Sequence, residues 1–253
     1  MNTVSEYYLL MANKGKYTTD DILIIGDSFA LSRTEMYHWP KLLHYKLTGS
    51  NDIPRGAGFG GAAWWSVRKC LLKELEKKIP KVLVLCHTGS IRIPSDAAYT
   101  LSHGAIMYNE YNSHIHKFSQ EIYQAARDYY THIISLSSGF MLWANNAWRK
   151  ECDDLIADIP IVIHLNCFEE DFYNFKNGIT FSEFLADIAV TTADQNVKDE
   201  LKNHGVSTFG AQPNHFKSEI NIRIAEILYQ TIINYKKSQT GTTHYFNLGN
   251  SDD

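Results

Sequence analysis

The sequence predicts an α/β protein of three layers, with a mainly parallel five-stranded sheet covered by helices on both faces. Short, fully apolar β-like runs alternate with longer amphipathic runs, the pattern of strands buried from both sides. The last periodic segment has one apolar face and reads as a helix that docks on such a sheet. Size agrees, because 253 residues, 44% apolar and 21% charged, suffice for one α/β domain with a full core.

In chain order, "DILIIG" (21–26) reads as the first strand and "WPKLLHYKL" as the helix after it. The helical run "AWWSVRKCLLKELEKK" leads into the strand "KVLVLCH" (81–87). A second helical run, "YNEYNSHIHKFSQEIYQAARDYY", precedes "HIISLS" (132–137), read as a strand from its β-branched residues, and "IPIVIHL" (159–165) is a further strand. Residues 166–210 read as a helical insertion containing "TFSEFLADIA". In the final helix Ile220, Ile224, Ile227, Leu228 and Thr231 share one face. Residues 1–19 form a polar lead-in, 20–236 the domain, and 237–253 a tail rich in Gly, Ser, Thr and Asn.

Composition narrows the function classes. A net charge of −4 offers no electrostatic footprint for nucleic acid. No window approaches the 18 uninterrupted apolar residues of a membrane span, and "MNTVSEYYLLMANKGKY" lacks the basic start and apolar core of a signal peptide. A cytoplasmic protein is expected, with release in a virion or by a non-classical route left open. Cys70, Cys86, Cys152 and Cys167 form no C-x-x-C pair and read as buried, reduced thiols. His114 and His116 form H-x-H within a helical pattern, where i and i+2 point to different faces, so no metal site is expected.

In open α/β sheets, sites form outside the carboxyl ends of the strands. That rule nominates residues 26–30, 87–92, 135–139 and 164–167. In "IIGDSFA", Ser28 follows a buried strand and precedes a helix, whose first backbone N–H groups can hold an oxyanion. The ordinary alternative is that Ser28 or Asp27 only caps that helix. In "PRGAGFGGAAWW", Gly56, Gly58 and Gly61 match G-x-G-x-x-G, yet Pro54 spoils the strand that a dinucleotide loop requires, so a close backbone turn is the better reading. His215, after Pro213 and Asn214 and just before the last helix, is placed to serve as a base near neutral pH.

Taken together, "IIGDSFA", "GAGFGGA" and "NHFKSEINIRIAEIL" resemble, in order, the blocks of the SGNH (GDSL-type) hydrolases, over Asp21 to Ile233. The resemblance implies a flavodoxin-like fold and a cofactor-free esterase or deacetylase working through an acyl-enzyme, with a small-molecule or carbohydrate ester as substrate. It implies Ser28 as nucleophile, His215 as general base, and the Ser28 and Gly61 N–H groups as the oxyanion hole. Asp27, His87, Thr88, Ser90, Arg92 and Trp64 are the candidate substrate contacts, with one of Trp64 and Trp65 expected in the core.

The chain departs from the family twice. Gly89, in "LCHTGSIRIP", stands where the family has an oxyanion-hole asparagine, so Thr88, Ser90 and Asn145 become candidate replacements. Gln212 stands in the place of the triad aspartate and can orient the histidine without charging it, unless Asp187 or Asp194 folds back to do so. Two rival readings follow: a binding protein on the same fold with weakened turnover, and a nucleotide-binding protein using Gly56, Gly58 and Gly61.

Overall fold

The computed structural model describes residues 15–31, 38–56, 58, 62–90, 92–93, 101, 106–107, 111, 118–167, 173–184 and 218–235, without the side chains of 135–138, 182–184 and 218–219. Four strands, β1 Ile22–Ile25, β2 Val82–His87, β3 Ile161–Asn166 and β4 Ile179–Phe184, form a parallel sheet in that order. Five helices are described: α1 Trp39–Thr48, α2 Trp64–Lys77, α3 Gln120–Asp128, α4 Ser135–Leu155 and α5 Ser218–Asn234. None is long and apolar enough to cross a membrane.

Strand alternation divides the core between the two faces of the sheet. Ile22, Ile24, Val82, Val84, Ile163, Leu165, Ile179 and Phe181 face α1 and α5. Leu23, Ile25, Leu83, Leu85 and Val162 face Val67 and Leu71 of α2, Trp148 and Cys152 of α4, and Ile156 just after it. On α5, Ile220, Ile224, Leu228 and Thr231 are buried as the periodicity requires, while Ile227 lies partly exposed. Tyr17, at the end of the expected lead-in, is buried, and its N–H bonds Leu47 O at 3.1 Å.

Among the described residues the sheet has four strands, not the five expected, and two segments differ from expectation. Residues 132–137 are helical: π-helical Tyr129–Ile134 joins α3 to α4. β2 pairs directly with β3 from Val82↔Ile161 to His87↔Asn166, which leaves no edge between them for "HIISLS". The β-branched propensity of that run yields to the helix on either side of it. Conversely, Ile179–Phe184, within the expected helical insertion, pairs with β3 as a strand. Gly178, at φ 103, turns the chain into it, and Ile179 and Phe181 point into the α1–α5 core.

A fifth segment lies on the outer edge of β1 without becoming a strand. Leu23↔Arg55 and Gly26↔Gly58 are isolated parallel bridges, because Pro54 lacks an N–H and Gly56 takes φ 82. Arg55 clamps this segment by donating to Asp20 O, Glu74 O and Lys78 O. All four cysteines are free thiols. Cys86, Cys152 and Cys167 are buried, whereas Cys70 is partly exposed because it lies off the buried stripe of α2.

Candidate active site

The apolar run of β1 ends at Gly26, where a Cβ would lie 2.5 Å from the Cβ of Cys86, so only glycine lets the strands pass this closely. Asp27 then caps a 3-10 turn over Ser28–Ala30, its Oδ1 accepting from Phe29 N at 2.9 Å. Asp27 is the capping residue; Ser28 is not. Ser28 is 8% exposed, and its Oγ has no hydrogen-bond partner among the described residues.

Asp27 Oδ2 lies 2.8 Å from Arg92 Nη1, and both side chains are buried. Burial pushes the Asp27 carboxyl pKa up, and the Arg92 charge and the Phe29 N–H oppose that rise. Arg92 Nη1 also donates to Ala62 O at 2.8 Å, and Thr88 Oγ1 donates to the same carbonyl at 2.8 Å. The loop after β2 is thereby fastened to the entrance of α2 and to the serine turn.

Gly58 packs against the other side of that turn. A Cβ there would lie 2.2 Å from Ala30 C and Leu31 N, and one at Gly56 would lie 2.4 Å from Ile24 O. Both glycines are thus used for packing against β1 and its turn. From below, Trp39 Nε1 donates to Phe29 O at 2.7 Å, and Trp39 N donates to Asn221 Oδ1 of α5 at 3.0 Å. The first turns of α5 are thus tied to the residue next to Ser28.

Beside this cluster runs a buried histidine relay that was not evident from the sequence. The carbonyl of Asn177 accepts from His164 Nε2 at 2.9 Å, which leaves His164 Nδ1 to accept from His87 Nε2, also at 2.9 Å. Asp153 holds Asn177 in place by accepting from the N–H groups of Lys176 and Asn177. Phe175 stacks on His164 at 3.6 Å. Burial depresses both ring pKa values, His164 to about 3 and His87 well below its usual value; each is lowered further by Arg149, and His87 also by His164. The rings are therefore neutral near pH 7.

Of the expected site residues, Asp27, Ser28, Thr88 and Arg92 are brought together through Ala62 O and the serine turn. Ser90 is buried close by in sequence. His87 is turned toward His164. Trp64 is partly buried on the α2–α4 core and edge-on to Trp65 at 5.7 Å. Its Nε1 is buried and has no hydrogen-bond partner among the described residues. Gly61, Gln212, His215, Asp187, Asp194, His114 and His116 lie outside the described residues.

Missed in the sequence were Asp153 and Arg149, while His164 falls in the nominated 164–167 strand end without a role having been read for it. The available signal was polar residues at buried helical spacing on α4, where Asn145, Arg149 and Asp153 repeat every four residues on the face that carries Trp148 and Cys152. Comparison with protein-family models, with curated proteins and with solved structures finds no match to the chain.

Proposed function

We propose that the chain is a serine ester hydrolase of the SGNH kind, acting on a small-molecule or carbohydrate ester such as an O-acetyl sugar. The observation that carries this is the division of roles at the first turn: Asp27 makes the cap and leaves the buried Ser28 hydroxyl unspent. A serine that serves only as a cap would have its oxygen on a backbone N–H.

Two further features support the reading. The bridges of Arg55 to Leu23 and of Gly58 to Gly26 put chain on the edge of β1 away from β2, so the carboxyl end of β1 is flanked on both sides, a place where crossovers leave a crevice. The Trp39 bridge from Phe29 O to Asn221 keeps the start of α5 beside the serine turn, and His215 precedes that helix by three residues. In the mechanism, Ser28 Oγ attacks the ester carbonyl while His215 takes its proton, forming a tetrahedral oxyanion held by the Ser28 and Gly61 N–H groups. His215 returns the proton to the leaving alcohol, and water, activated by the same ring, releases the acid. Gln212 orients the imidazole without adding charge, which slows turnover relative to an aspartate.

The reading is tested by labelling with a fluorophosphonate and by release of p-nitrophenol from short acyl esters. Wild type should label and turn over; Ser28→Ala should abolish both while its melting temperature is retained, because the hydroxyl removed bonds nothing described. If wild type shows neither serine-dependent labelling nor hydrolysis, binding without turnover replaces the hydrolase reading. Gly89, which offers no side-chain donor, favours that second reading.

A further inference from the structure

We propose that the chain pairs with a second copy of itself through the outer face of α4, the two copies lying antiparallel about a twofold axis beside Phe140. This is independent of the hydrolase reading and stands or falls by its own test.

α3, the π-helical turn Tyr129–Ile134 and α4 follow one another without a break from Gln120 to Leu155. The inward stripe of α4 is spent on the fold, with Met141, Trp148 and Cys152 buried. The outward stripe is not. Phe140 and Trp143 are 63% and 65% exposed with their rings stacked 6.1 Å apart, and Leu142 and Ile133 are exposed beside them in sequence. Single apolar residues are ordinary on a surface, but these fall within residues 129–148, a stretch that holds no Asp, Glu, Lys or Arg. Exposed aromatic rings in a charge-depleted stretch have the composition of an interface core.

The charges at the two ends of that stretch say what covers it. Arg127 and Asp128 are exposed before it, and Lys150 and Asp154 are exposed after it. Among the described residues no ion pair within the chain uses any of these four. Counted from Phe140, Asp128 lies 12 residues back and Lys150 lies 10 forward, while Arg127 lies 13 back and Asp154 lies 14 forward. An antiparallel twofold beside Phe140 therefore brings Asp128 of each copy opposite Lys150 of the other, and Arg127 opposite Asp154, each within about 3 Å along the axis. A parallel pair would set each charge against its own like. A lipid surface matches the face less well, since helices that lie on membranes carry mainly Lys and Arg beside their apolar side, whereas these flanks are of mixed sign and the chain carries −4 overall. One helix face from each copy is a small interface, so the dimer is a weak one.

The test is sedimentation equilibrium of the full chain over about 1–200 µM, with melting temperatures, for wild type, Trp143→Ser, Asp128→Lys, Lys150→Asp and the double charge swap. Wild type should dimerise, and Trp143→Ser should weaken the dimer about thirtyfold or more at an unchanged melting temperature. Each charge reversal should weaken it about tenfold, and the swap of both should return it to within threefold of wild type. A wild type that stays monomeric, or a dimer as tight in Trp143→Ser as in wild type, overturns the proposal. A double swap no tighter than either single reversal overturns the antiparallel seating. A monomeric wild type whose melting temperature falls in Trp143→Ser gives the face to a segment of the chain itself. A monomeric wild type that sediments with phosphatidylcholine–phosphatidylglycerol vesicles, and ceases to in Trp143→Ser, gives the face to a lipid surface, and either result removes the second copy.

Discussion

The Asp27 carboxylate and the Arg92 guanidinium lie 2.8 Å apart inside the protein, with Asp27 itself fully buried. The pair joins the turn after β1 to the loop after β2. Its function is positional: Asp27 holds Phe29 N with one oxygen and Arg92 with the other, and Arg92 in turn holds Ala62 O.

Removing one partner strands the other. Arg92→Met should destabilise the fold by about 3–5 kcal/mol, because a buried carboxylate left alone costs far more than the pair contributes. For a chain of this size that corresponds to a fall of roughly 10 °C in thermal unfolding. Adding Asp27→Asn, which keeps a cap acceptor and removes the charge, should recover most of the loss. A double variant no more stable than Arg92→Met alone would show that the two groups are not coupled.

Gly58 and Gly139 should respond in opposite directions to the same substitution. Alanine at Gly58 drives a Cβ to 2.2 Å from the backbone of Ala30 and Leu31, so Gly58→Ala should destabilise the protein and disrupt the Ser28 turn. Gly139 sits inside α4 with nothing within 4 Å of an added Cβ, so Gly139→Ala should stabilise by about 0.5–1 kcal/mol. Denaturant unfolding of both variants checks the pair, and equal effects would refute it.

Acid should act through the histidine relay. Burial and Arg149 hold His164 at about 3, against the opposing pull of the Asn177 carbonyl, whereas an unfolded histidine takes its proton near 6.5. Because the folded value lies below the unfolded one, the unfolded chain binds the proton first. The His164 contribution is complete above pH 6.5 and is lost as the pH falls toward 3, by up to about 1.4 kcal/mol per pH unit. His164→Gln should flatten unfolding free energy against pH over that window. An unchanged slope would place the acid sensitivity elsewhere.

Several of these features could be read from residue order alone. The apolar runs at β1, β2 and β3 were legible because strands buried on both faces need continuous apolar residues, and α5 showed its face by its period. "HIISLS" and "TFSEF" were misassigned because each run fits either state by itself. The choice lay with neighbours distant in sequence: β2 and β3 closed on each other, and β3 offered its free edge to Ile179–Phe184. Four strands are described where five were expected, and Pro54, which spoils a strand already in the sequence, leaves the segment beside β1 with only isolated bridges.

Residue order was enough for the α/β class, the carboxyl-end location of Asp27 and Ser28, and the buried stripe of α5, because these depend on local periodicity and on where a strand stops. Which residues meet followed from the packing of the folded chain. The partnership of Asp27 with Arg92 and the contact of His164 with His87 join groups tens of residues apart. A buried polar group must find a partner wherever the packed chain brings one, and no local spacing encodes that meeting.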